Sequence, residues 1–100
     1  MSNSKNKTNI LIADDHQLVI DGLKSMLASE KSYIIKGEAL NGQQALEMIS
    51  AKPNEYQLVI TDITMPLMSG IELCKIIKEQ FPDIKVIILS MHNSISIVKD

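Results

Sequence analysis

LVITDITMP, residues 58–66, is the stretch on which the fold turns. Leu58, Val59 and Ile60 follow one another without polar alternation, and an unbroken apolar run suits a strand covered on both faces of a sheet. The predicted strand covers 57–61. It ends at one carboxylate, Asp62, and the loop after it carries Met65 and Pro66. A buried strand that delivers an aspartate to its own end raises the question of what that aspartate does there.

Working outward, the same unit recurs. Upstream, Ile10 to Ala13 is a short apolar run ended by Asp14 and Asp15. Val19, Leu23, Met26 and Leu27 then repeat at the spacing of one helix face. Tyr33 to Ala39 reads as a second strand, and Asn41 with Gln44 as a capping box for a helix that turns Ala45, Leu46 and Ile49 inward. Lys52, Pro53 and Asn54 break that helix before the third strand. Downstream, Ser69 and Glu72 form another capping box, ahead of a helix carrying Leu73, Ile76 and Ile77 that stops near Phe81 and Pro82. Val86 to Leu89 is the fourth strand, and 92–100, HNSISIVKD, reads as the start of a further helix. Strands alternating with helices across short loops argue for a doubly wound parallel α/β sheet.

Bulk properties narrow the function. One hundred residues make one domain with room for a core, and 45% hydrophobic and 22% charged residues with a net charge of −2 are ordinary globular values. Nothing in that balance marks a nucleic-acid surface. A single cysteine, Cys74, suits a reducing compartment, and the polar leader MSNSKNKTN has no signal-peptide core, so the expected location is the cytoplasm, with no membrane span. Residues 1–8 read as a flexible polar tail.

Ligands of wound parallel sheets bind outside the carboxyl ends of the strands. Those ends carry Asp14 and Asp15 on strand one, Asp62 on strand three and Ser90 on strand four. Three converging carboxylates repel one another unless a cation lies among them, and a hard divalent ion that keeps its waters, Mg2+, suits them better than zinc. Zinc would have only the separated His16, His92 and Cys74. With the metal on Asp14, Asp15 and one oxygen of Asp62, the other oxygen is placed to attack a phosphoryl group. Plainer readings stand beside this one. Asp15 suits a helix N-cap, Asp62 an Asx turn and Ser90 a cap or turn, while His16 and His92 suit solvated loops and Cys74 the core.

ILIADDHQLVIDGL (10–23) together with LVITDITMPLMSGIELCKIIKEQFPDIKVIILSMH (58–92) resembles the receiver domain of two-component response regulators, and DDH and LSMH resemble its NarL/FixJ (LuxR-type) class. The resemblance runs from about Asn9 to the end. It implies a flavodoxin-like sheet of order 2-1-3-4, with the family's fifth strand and helix absent, so that 9–100 reads as a C-terminally truncated receiver. It implies Asp62 as phosphoacceptor, Asp14, Asp15, Asp62 and the Thr64 backbone carbonyl as Mg2+ ligands, and Ser90 as switch hydroxyl. It further implies a sensor histidine kinase as phosphodonor and a C-terminal output domain, outside this chain, that binds promoter DNA; this segment itself would not touch nucleic acid.

The chain departs from the family at Ile20, where arginine is common, at Tyr56 and Gln57, where Pro-Asp is common, and at Thr61, usually aliphatic. The family lysine after the fifth strand has no counterpart here; Lys99 comes too early. Impaired phosphorylation is therefore expected, and so is self-association through an exposed edge of strand four. The alternative is an interaction-only pseudo-receiver that dimerises without phosphorylation. A haloacid-dehalogenase-type phosphatase is disfavoured because Thr64 stands where its second aspartate must be, so the chain reads as a regulatory phosphoacceptor rather than an enzyme. A dinucleotide fold fails because DDHQ replaces the glycines after strand one.

Overall fold

The computed structural model describes residues 7–91 and 95–99. The strands are β1 (Thr8–Ala13), β2 (Tyr33–Ala39), β3 (Leu58–Asp62), β4 (Lys85–Met91) and β5 (Ile95–Lys99); the helices are α1 (Gln17–Leu27), α2 (Gly42–Ala51) and α3 (Gly70–Gln80). The sheet runs β2-β1-β3-β4-β5, with the first three pairings parallel and β4–β5 antiparallel. The expected flavodoxin-like order 2-1-3-4 is thus present. Strand β1 begins one residue inside the expected tail, because the Thr8 N–H donates to the Ser32 carbonyl at 2.7 Å; residues 1–6 of that tail lie outside the described residues.

Alternation along the central strands builds two cores. Ile10 and Ile12 of β1, Ile60 of β3 and Leu89 of β4 face α1, where Ile20 is fully buried. Leu11, Ala13, Val59, Val86 and Ile88 face α2 and α3, against Ala45, Ile49, Leu73 and Ile77. Two covered faces explain why these strands lack polar alternation. Thr61 is buried on the second face, where its hydroxyl donates to the Asp62 carbonyl at 3.0 Å, satisfying a group that would otherwise cost free energy. Cys74 belongs to the same core.

Two helix readings are corrected. Helix α1 turns Ile20, Leu23 and Leu27 inward and leaves Met26 72% exposed, because its face is set by Ile20 rather than by the Val19–Met26 repeat. At α2, the Asn41 side chain accepts from Gln44 N–H as expected, but the Gln44 side chain reaches past Asn41 to the Leu40 N–H, at 2.7 Å each. The Ser69–Glu72 capping box of α3 forms in both directions.

The largest difference lies beyond β4. The expected helix start is instead β5, pairing Ile87 with Lys99, Leu89 with Ile97 and Met91 with Ile95. Ile95, Ile97 and Val98 are β-branched, and the edge of β4 offers unpaired backbone groups for them to meet. This also corrects the expectation of an exposed β4 edge available for self-association: in this structure β5 occupies it. His92 falls outside the described residues.

Candidate functional site

The register brings the acids together. Ala13 of β1 pairs with Thr61 of β3, so the next residue of each, Asp14 and Asp62, emerges side by side at the carboxyl ends of adjacent strands. The Asp14 backbone N–H is tied to the Ala39 carbonyl at 2.9 Å. Asp14 is 1% and Asp62 8% exposed, whereas Asp15 is exposed. Donor atoms of Asp14, Asp15, His16 and Asp62 all lie within 4.8 Å of one another.

Each side chain is held locally. The Ile63 N–H donates to Asp62 Oδ1 at 2.8 Å, which fixes the rotation of that carboxylate. This is not the Asx turn considered from sequence, in which the bond would come from two residues on. Asp14 Oδ1 does make such a bond, accepting the His16 N–H at 2.8 Å. His16, rather than Asp15, is the N-cap residue of α1, and its side chain makes no capping bond. The α3 terminus is pressed against this rim: the Gly70 N–H donates to the Ile63 carbonyl at 2.7 Å, and a Cβ on Gly70 would overlap the Asp62 carbonyl oxygen.

Burial, and next the neighbouring Asp14 carboxylate, raise the Asp62 pKa above its ordinary value; the Ile63 N–H and His16 act the other way. The His16 pKa is raised by its hydrogen bond to Asp14 and by the charges of Asp15 and Asp14. The His16 shift reflects negative charge concentrated at this rim, which attracts a cation, whereas the Asp62 shift reflects burial first and that charge second. Three carboxylates are the hard-oxygen donor set of a small divalent ion, so the residues fit Mg2+.

Residues 10–100 match the response regulator receiver domain family. The chain belongs to that family. It is 36% identical over 95 residues to the transcriptional regulatory protein DegU of Brevibacillus brevis, covering 95% of this chain and 39% of DegU. The isolated receiver domain of RcsB from Salmonella enterica serovar Typhimurium, solved with the phosphomimetic BeF3−, superposes with a TM-score of 0.77 at 35% identity, covering 89% of this chain and 65% of that one. An RcsB–DNA complex superposes with a TM-score of 0.76 at 35% identity, over 88% of this chain and 44% of that one. These relatives are regulators of NarL/FixJ type, and the chain spans about two fifths of the length of the curated relatives it matches. Receiver domains are regulatory modules rather than conventional enzymes.

Within the receiver, Ser90 follows Leu89, which pairs with Asp62, so it stands partly buried one step beyond that carboxylate's row. Thr64 is exposed on the β3–α3 loop. His16 is exposed as expected, but sequence reasoning did not foresee its contacts. Its side chain is 64% exposed, as a loop histidine should be, yet Nδ1 lies 2.9 Å from Asp14, 3.1 Å from Asp15 and 3.8 Å from Asp62. The available signal was its place two residues after Asp14, where an Asx turn folds the chain back on the acid. A cavity of about 530 Å3, bounded by Lys7, Glu30, Lys31 and Tyr33, lies at the opposite end of the sheet from the carboxylates. No helix among the described residues is long and apolar enough to cross a membrane.

Proposed function

We propose that this receiver domain accepts a phosphoryl group on Asp62 from a sensor histidine kinase, with Mg2+, and passes the change to a transcriptional output. The observation that carries the reading is the convergence of Asp62 with Asp14 and Asp15 within one donor cluster. Asp14, Asp15, one oxygen of Asp62 and the Thr64 backbone carbonyl would hold the ion, which offsets the charge of the transferring phosphoryl. Asp62 attacks phosphorus with its other oxygen; an Oδ–P bond forms as the donor's P–N bond breaks, and the leaving imidazole departs with the bonding pair. Ser90 then moves to donate its hydroxyl to a phosphoryl oxygen. Because Ser90 pairs with Ser96 of β5, that movement bears on the β4–β5 segment.

Lys99 pairs with Ile87, two rows back from the row of Asp62 and Leu89, so it does not take the part of the family lysine. A segment without that cation would transfer more slowly than one extended to include it. In a longer protein a C-terminal domain would carry promoter binding; RcsB, a relative of this chain, has been solved in complex with DNA. The cytoplasm, where such kinases present their phosphohistidine, is the matching location.

Intact mass after incubation with Mg2+ and a small phosphodonor tests this, on the chain, its Asp62→Asn variant and a chain extended through the family's next strand and helix. A single phosphoryl gain that requires Asp62 and is larger in the extended chain is expected. No gain in any of the three would favour the interaction-only pseudo-receiver.

A further inference from the structure

We propose that Thr61 is a positioning residue for phosphoryl transfer to Asp62: its buried hydroxyl holds the peptide unit that in turn holds the attacking carboxylate. The inference rests on the reading of Asp62 as phosphoacceptor and adds a residue that touches neither the ion nor the phosphoryl group.

Thr61 stands one residue before the nucleophile, in surroundings that suit an apolar side chain. It pairs with Ala13 on β1 and Ile88 on β4 and is fully buried. A hydroxyl placed there gives up its water, whereas valine, of nearly the same shape, would fill the space without that cost. Packing alone therefore does not account for the hydroxyl.

Its hydrogen bond does. Thr61 Oγ1 donates to the Asp62 carbonyl at 3.0 Å, with the weaker acceptor Met65 Sδ at 3.8 Å. That carbonyl and the Ile63 N–H are opposite ends of one planar trans peptide unit, so a donor that fixes the direction of the oxygen fixes that of the N–H as well. The Ile63 N–H donates in turn to Asp62 Oδ1 at 2.8 Å. Gly70 closes over this link: a Cβ there would overlap the Asp62 carbonyl oxygen and come within 3.2 Å of Thr61 Oγ1. Gly70 also holds the next peptide, its N–H donating to the Ile63 carbonyl at 2.7 Å, so the backbone after the nucleophile is pinned at two consecutive carbonyls. With the hydroxyl gone, the first of these pins is lost, and a carboxylate released from the Ile63 N–H turns about its Cβ–Cγ bond. Attack needs the free Asp62 oxygen aimed at phosphorus, and a nucleophile that wanders from that line loses rate.

Three variants separate this from a packing role. Thr61→Val keeps the volume and removes the hydroxyl, Thr61→Ser keeps the hydroxyl and removes a methyl group, and Thr61→Ala removes both. Intact mass followed over time with Mg2+ and acetyl phosphate gives the phosphorylation rate, urea unfolding gives the stability, and NMR gives hydrogen exchange at the Ile63 amide relative to the core amide of Val59. The wild type and Thr61→Ser are expected within about threefold of each other in rate, and Thr61→Val and Thr61→Ala about tenfold slower or more. The urea midpoint should instead follow the methyl group, falling in Thr61→Ser and Thr61→Ala. Relative exchange at Ile63 should quicken only where the hydroxyl is missing. Rates that follow stability rather than the hydroxyl, or an Ile63 amide indifferent to its loss, overturn the positioning role and leave Asp62 as phosphoacceptor. Absence of any phosphoryl gain in the wild type overturns both. Should Thr61→Val fail to fold, Thr61→Ser against Thr61→Ala makes the same comparison.

Discussion

Replacing Asp62 by asparagine should make this protein more stable, not less, when no divalent ion is present. The two carboxylates Asp14 and Asp62 are buried side by side, with donor atoms within 4.8 Å. At that separation two unit charges repel by about 3.5 kcal/mol at an effective dielectric of 20 and about 0.9 kcal/mol in water. The site opens to solvent through Asp15, and His16 offsets part of the repulsion, so the relief is placed at about 1–2 kcal/mol, or roughly 5–10 °C in Tm for a domain of this size. Asparagine keeps an oxygen for the Ile63 N–H, so no buried donor is orphaned.

The sign with pH follows from the raised pKa of Asp62. The folded state binds that proton more tightly than the unfolded chain, so wild-type stability from this group is lowest above its folded pKa and recovers as pH falls through it toward the ordinary value of 3.8. The advantage of Asp62→Asn is therefore full at pH 7 and gone below about pH 3.8. Divalent ion opposes it: Mg2+ at ten times its Kd adds about 1.4 kcal/mol to the wild type, enough to close the gap. Urea unfolding followed by circular dichroism, at several pH values with and without Mg2+, measures all of this. An Asp62→Asn variant less stable than the wild type at pH 7 without metal, or a gap that ignores pH, would refute the reasoning.

Gly70→Ala should cost about 2–3 kcal/mol or abolish folding, because the added Cβ overlaps the Asp62 carbonyl oxygen and neither backbone can retreat; a urea midpoint within error of wild type would contradict that packing. Leu67, 80% exposed and at φ 70°, holds the left-handed conformation without burial in return. Leu67→Gly should raise stability by about 0.5–1 kcal/mol, as relief of strain exceeds the added unfolded-state entropy, and thermal unfolding reads it directly.

The residues themselves determined the parallel sheet, the strand-end acids and the α3 cap. Unbroken apolar runs at Ile10–Ala13 and Leu58–Ile60 require two covered faces, and Ser69 with Glu72 satisfies backbone donors within one turn; both are local or near-local facts. The acidic rim was legible for the same reason, since carboxylates that end parallel strands share one edge. The terminal strand was not. Whether 95–99 is helix or strand depends on what else competes for the edge of β4, a partner outside the segment and invisible to periodicity within it. Nor were the contacts of His16 legible, because its exposure is that of any loop histidine. Only the backbone turn that bonds its N–H to Asp14, and the register that sets Asp62 beside Asp14, place one imidazole on three carboxylates. Sequence pattern decides which face is buried, because burial has a period. Tertiary structure decides which polar groups meet, because meeting has none.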